Sequence, residues 1–298
     1  MTTSNQMVQQ KMPFSVAVNT PSMQKLIANA LHDPARCARF TASIVSAVSV
    51  NQALQNCDRN TVISGALLGE SLNLSPSPQL GQYYLVPFNN KKKGMQDAQF
   101  VLGYKGYVQL ALRSGQYKSI NVEIVKQGEY KGRDPITGDP RFQFLEDDDE
   151  WERLPVIGYM ASFEYLNGFR KVLYWSKEKM MNHADRYSAA FSRKAYENLI
   201  AGNIPQGEMW KYSSFWYKDF DSMAKKTMLR QLISKWGIMS TDMQSAYESD
   251  SRVIEETESG QLVPQVEEEP PQQIEEPQAA AQIPAQPAEP KQIDLSSL

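Results

Sequence analysis

The segment Gln99–Glu123, "QFVLGYKGYVQLALRSGQYKSINVE", changes its periodicity twice and decides how the rest of the chain is read. Apolar residues run up to Gly103, and Ile120, Val122 and Ile124 alternate with polar neighbours, so both ends read as strands. Between them Gly103 and Gly106 bracket a tight passage into a short helix, Tyr107 to Ser114, which Gly115 is placed to end. Lys105, Gln109 and Arg113 recur every fourth residue and share a face, which leaves Val108, Leu110, Ala111 and Leu112 for packing. Strand, helix and strand follow in immediate succession, and the cations converge on one side.

Upstream, "QYYLVPF" and "AQFVLG" flank the polar "NNKKKGMQD", the pattern of two strands joined by a loop with Lys91, Lys92 and Lys93 at its tip. Before that, Phe40, Ile44 and Val48 repeat every four residues after Pro34, and Val62, Ile63, Ala66 and Leu67 follow the candidate cap Asn60. These helices are expected to pack as a small bundle. Downstream, the acidic run Glu146–Glu150 falls in a turn-rich link expected to be a solvated loop. Asn167-Gly168 then sits between two β-rich runs, a strong hairpin signal. A long helical region is expected from Ser176, with an irregular portion around Gly202 to Gly207. The last amphipathic helix is "DFDSMAKKTMLRQLISKWGIM": Ala224, Met228, Leu229, Leu232, Ile233 and Trp236 span one arc, Lys226 and Arg230 sit at its edge, and Lys225 and Lys235 fall inside it. The fold class is therefore α+β, a small twisted, mainly antiparallel sheet backed by helices, with an N-terminal helical bundle.

The net charge of −3 hides a division. From Ala246 onward twelve acidic residues face only Arg252 and Lys291, so of 31 basic and 34 acidic residues, 29 and 22 lie before Ala246, and the body carries +7 against −10. The tail is rich in Pro, Gln and Glu and poor in aromatics, a composition that buries too little apolar surface to offset its ordering entropy. It reads as disordered, either a solvated spacer or an acidic arm that competes for the body's basic site or docks a partner through "QIDLSSL". The domain reading is a disordered arm at 1–20, one binding and assembly domain at 21–245, and the tail at 246–298.

Several chemistries are excluded or weak. Only Cys37, Cys57, His32 and His183 could supply soft metal ligands, too few and too scattered for zinc, haem or iron–sulfur sites. No glycine is followed by lysine, so there is no phosphate-binding loop of the G-x-x-x-x-G-K-[ST] type. "GYKG" lacks the third glycine of a dinucleotide fingerprint, and neither histidine has a nucleophile motif around it. No apolar run approaches a membrane span, and the start lacks a secretion pattern, so a cytoplasmic location is expected. What remains is cations interleaved with flat rings, the combination that holds single-stranded nucleic acid by its phosphates and its unstacked bases. The candidates are Tyr104, Lys105, Tyr107, Arg113, Tyr117 and Lys118, joined from the last helix by Lys225, Lys226, Arg230 and Lys235. Tyr107 or Trp236 is expected to be partly buried.

Three stretches in order, "QFVLGYKGYVQLALRSGQYKSINV", "VIGYMASFEYLNGFRKVLYW" and "DFDSMAKKTMLRQLISKWGIMS", resemble the RecT family of phage and prophage recombinases across roughly residues 21–247. The resemblance implies an ATP-independent protein that anneals complementary single strands, assembled as rings or filaments, beside a phage-type 5′→3′ exonuclease and a host single-strand binding protein. It implies a fold similar to the Red beta annealing proteins, with Lys105, Arg113 and Lys118 lining a groove from the sheet side and Lys225, Lys226 and Arg230 from the helix side. No catalytic residue and no required cofactor follow from it, and magnesium stays open as a modulator of DNA binding. Residues 188–211 look like an insertion relative to shorter members, and Arg186, Tyr187, Arg193 and Lys194 are further candidates to face DNA.

Overall fold

The computed structural model describes residues 12–90, 92–257 and 260–265. Four helices come first: α1 (Phe14–Ala17), α2 (Pro21–Leu31), α3 (Pro34–Val50) and, after a 3-10 turn at Gln52–Asn56, α4 (Arg59–Ser71). The middle of the chain holds β1 (Tyr83–Asn90), β2 (Met95–Leu102), α5 (Tyr104–Arg113), β3 (Tyr117–Lys126), β4 (Tyr130–Arg133), β5 (Pro140–Phe142), α6 (Asp148–Arg153), β6 (Val156–Tyr165) and β7 (Arg170–Ser176). Then follow α7 (Lys177–Tyr187), α8 (Arg193–Ile200), a second 3-10 turn at Gln206–Tyr212, α9 (Phe215–Lys218), α10 (Phe220–Trp236), α11 (Thr241–Ser249), β8 (Arg252–Glu256) and β9 (Leu262–Pro264). The strands form one sheet in the order β1-β2-β8-β9, a second in the order β3-β6-β7, and the ribbon β4-β5. Every strand pair is antiparallel, as the α+β reading expects.

The N-terminal helices form where their apolar spacing puts them. Asp33 caps α3 by accepting from the Ala35 and Arg36 N–H groups, and the repeat Phe40, Ile44, Val48 is its buried stripe. The cap of α4 is Asp58, whose carboxylate accepts from the Asn60 N–H, so Asn60 lies inside the helix. The arm drawn at 1–20 also needs correction: Phe14, Ala17 and Val18 are buried in the core, an apolar contribution outweighing the polar composition around them. Residues 1–11 and Lys91 lie outside the described residues. Of the loop lysines, Lys93 pairs with Glu255 at 3.0 Å.

The opening segment folds as β2, α5 and β3, with the helix starting three residues earlier than its glycines suggest. Gly103 is the residue before the first turn, and its N–H donates to the Gln82 carbonyl at 2.8 Å. A Cβ on Gly103 would lie 2.1 Å from the Gly81 oxygen, and one on Gly106 2.2 Å from the Gln82 oxygen. The glycines thus let the entry to β1 lie against the first turn of α5. Alanine is ordinarily better in a helix by about 1 kcal/mol. Here Gly106→Ala is expected to destabilise by about 1–3 kcal/mol through backbone overpacking, read as a lower midpoint in thermal unfolding. At Asn167-Gly168 the hairpin forms as expected, with Gly168 at φ +85°.

Two acidic segments differ from expectation. Asp148, Asp149 and Glu150 form the first turn of α6, capped by Asp147, because carboxylates there face the helix's exposed N–H groups. The tail boundary at Ala246 comes too early. α11 buries Met243 and Ala246, β8 buries Val253 and Ile254, and β8 pairs with β2 through Gln99 opposite Val253. Glu248, Asp250, Glu255 and Glu256 therefore belong to the folded part; with Arg252 they reduce its positive excess from +7 to +4. Residues 258–259 and 266–298, which carry the rest of the tail's acidic side chains, lie outside the described residues. Among the described residues no helix is long and apolar enough to cross a membrane.

Candidate nucleic-acid interface

Helix α10 lies across the β3-β6-β7 sheet and against α5. Asp219 caps it, and Ala224, Met228, Leu229, Leu232 and Ile233 face the core, as their arc predicts. The arc misplaces its edges. Trp236 is 38% exposed at the helix end, whereas Lys226, read as an edge cation, is buried. The reason is Asp250, at the junction of α11 and β8. Its carboxylate takes Lys226 Nζ at 2.7 Å, Arg230 Nη1 at 2.7 Å and the Leu102 N–H at 3.0 Å, and the Tyr107 hydroxyl sits at 3.3 Å. Burial pushes the Asp250 carboxyl up, but the charges of Lys226 and Arg230 and the hydrogen bonds hold it below the usual carboxylate value. Burial pulls the Lys226 ammonium below its ordinary value despite that partner. Arg230 also lies over the Tyr247 ring, 4.3 Å from its centre. Buried Tyr107 and Lys226 and the partly exposed Arg230 thus form a network on Asp250 that joins α5, α10 and the start of β8.

Three further candidates already have structural partners. Arg113, at the end of α5, donates to the Leu72 carbonyl at 2.7 Å and the Asn73 carbonyl at 2.6 Å, which supplies donors to the C-terminus of α4. Arg113→Ala is accordingly expected to cost about 1.5–3 kcal/mol in chemical denaturation, the usual worth of a hydrogen bond from a charged group. Tyr117 is buried and donates its hydroxyl to the Ile238 carbonyl at 2.9 Å. Lys118 is exposed but pairs with Glu164 across β3 and β6. Lys235 is exposed and has no ion pair among the described residues. On α8, Arg193 is tied to Glu197 and to Asn182 of α7.

What the fold does bring together is Tyr104, Lys105 and Lys225. Lys225 Nζ sits 5.7 Å from the centre of the Tyr104 ring and 3.6 Å from Glu123. Two rings the sequence reading passed over complete the surface. Tyr84, on the opposite face of β1 from buried Tyr83, packs against Phe215 of α9 with centroids 5.0 Å apart. A Cβ on Gly81 would meet the Tyr84 hydroxyl at 3.0 Å and Lys105 Cδ at 3.5 Å, so Tyr84 and Lys105 are neighbours. Burial, then the nearby Asp219 and Tyr104, raise the Tyr84 phenol above its ordinary value. Lys105 itself is exposed and makes no ion pair or hydrogen bond among the described residues. The result is a patch of half-exposed rings carrying one free and one weakly held ammonium group, suited to a backbone of phosphates with bases laid on aromatic faces. The period-two pattern of "QYYLVPF" contained the signal for Tyr84, since Tyr83 and Leu85 point inward and the residue between them outward. Phe215 gave none.

A family model described as "RecT family" matches residues 38–266. The chain is 39% identical over 228 residues to the uncharacterized protein YqaK of Bacillus subtilis (strain 168), which spans 76% of this chain and 67% of that one. It is also 35% identical over 114 residues to protein RecT of Escherichia coli (strain K12), spanning 38% of this chain and 42% of that one.

Proposed function

This chain belongs to the RecT family, and from that premise we propose that it anneals complementary single strands of DNA without ATP, as an oligomeric ring or filament, in phage-type recombination. The observation that supports the reading most directly is the convergence of Tyr84, Tyr104, Lys105, Phe215 and Lys225 from four separate elements onto one surface. Each protomer holds a short run of one strand by its phosphates, and the bases are presented outward for a second strand to test by Watson–Crick pairing. Selectivity then belongs to the DNA. The protein makes and breaks no bond, so it needs no nucleophile, no general acid and no nucleotide hydrolysis, and magnesium acts at most on binding or assembly. A phage-type 5′→3′ exonuclease would supply the strands and a host single-strand binding protein would share them, in the cytoplasm.

The test is to mix the protein with two complementary labelled oligonucleotides, without ATP, and to follow pairing by energy transfer while checking strand length afterward. Accelerated pairing of intact strands is the expected result. Tight binding with no acceleration would replace annealing with a protecting or scaffolding role. Strands shortened only when magnesium is present would make the protein a nuclease.

A further inference from the structure

We propose that the cleft between α3, α4 and the loop at 73–82 takes one nucleotide of the bound strand, as a subsite continuous with the aromatic and cationic surface. This rests on the nucleic-acid reading above. The cleft is open to solvent and has a volume of about 400 Å³, within the range of sites that hold small organic groups. Its floor is apolar, with Phe40, Ile44 and Leu74, and its rim carries Arg39, Ser75 and Gln82. That division suits a base below and a phosphate above.

Charge and continuity choose this occupant. Arg39 lines the cleft, is exposed, and makes no ion pair or hydrogen bond among the described residues, so its guanidinium is available to a phosphate. Gln82 is the residue after Gly81, whose position abuts Tyr84 and the Lys105 stem. The Gly81–Gln82 segment therefore borders the Lys105 surface through Gly81 and the cleft through Gln82.

The experiment uses the full chain with two variants, Arg39→Ala and Ser43→Trp. Ser43 is exposed on α3 and lines the cleft, so the indole can cover the floor without replacing a buried side chain. Binding of oligo(dT) is measured against salt, and a strand carrying iodinated pyrimidines is photocrosslinked and mapped by mass spectrometry. The wild type should crosslink within the segments holding Phe40 or Tyr83. Arg39→Ala should lower the log–log salt slope by about 0.7. Ser43→Trp should abolish those crosslinks while crosslinks near Tyr104 persist. Unchanged slope and crosslinks in both variants would overturn the proposal. So would variants that lose assembly mass but bind DNA normally, since the cleft would then be a contact between protein copies. Crosslinks in the cleft from a wild type that fails to accelerate pairing would refute annealing and leave the subsite standing.

Discussion

Asp250→Ala should lower the free energy of unfolding by about 3–5 kcal/mol in a guanidinium titration, because it strands two cations at a site built around one carboxylate. The Asp250 side chain is fully buried, the Lys226 side chain is 8% exposed and the Arg230 side chain 30%. Removing the carboxylate leaves an ammonium with no counter-ion in a desolvated setting and frees the Leu102 N–H and the Tyr107 hydroxyl of their acceptor. Much of the loss comes from that stranded charge rather than from the pair's own worth. Asp250→Leu combined with Lys226→Met should therefore recover a large part of it. The pH dependence has a definite sign. The folded carboxyl lies below the usual carboxylate value, so its contribution is fully present above that value and is lost as pH falls through the folded one. Asp250→Asn should remove this part of the acid limb of the stability curve. A variant within 1 kcal/mol of wild type would mean that the network is not what fixes α10 against β8.

The network also explains how far the sequence could be read. Period-two and four-residue patterns located the sheet, the hairpin at Gly168 and the core stripes of α3 and α10, since these are local consequences of which face is buried. They could not say which cations stay in water. Lys226 and Arg230 look like surface residues because their counter-ion lies 24 and 20 positions further on, in a stretch whose acidic composition reads as tail. Composition has no access to strand pairing, and pairing with β2 is what draws residues 252–256 into the fold. Tyr107 and Tyr104 show the same limit at shorter range. They are three residues apart on one helix, yet Tyr107 is sealed under Asp250 while Tyr104 stays half exposed beneath Lys225. Spacing with Lys105 points Arg113 at phosphate, but the carbonyls it serves follow the end of α4, some forty residues earlier.

This separation of cations by partner leads to the second large effect, in Lys105→Ala combined with Lys225→Ala. For single-stranded DNA each lost phosphate contact reduces the salt slope by about 0.7, so the double variant should lower it by about 1.4. Between 50 and 200 mM salt the gap in affinity from wild type should then narrow by about sevenfold. The loss should be the same for every sequence, because neither ammonium reads a base edge. Lys225 is held at 3.6 Å from Glu123, so part of its contact must come from exchanging that carboxylate for a phosphate. Glu123→Gln alone should accordingly raise affinity and steepen the slope. Arg113→Ala supplies the contrast: its guanidinium is committed to Leu72 and Asn73, so stability falls while the slope stays at the wild-type value. If Arg113→Ala flattened the slope and the lysine pair did not, the strand would run along the opposite end of α5, and the surface assigned to Tyr84, Tyr104 and Phe215 would be wrong.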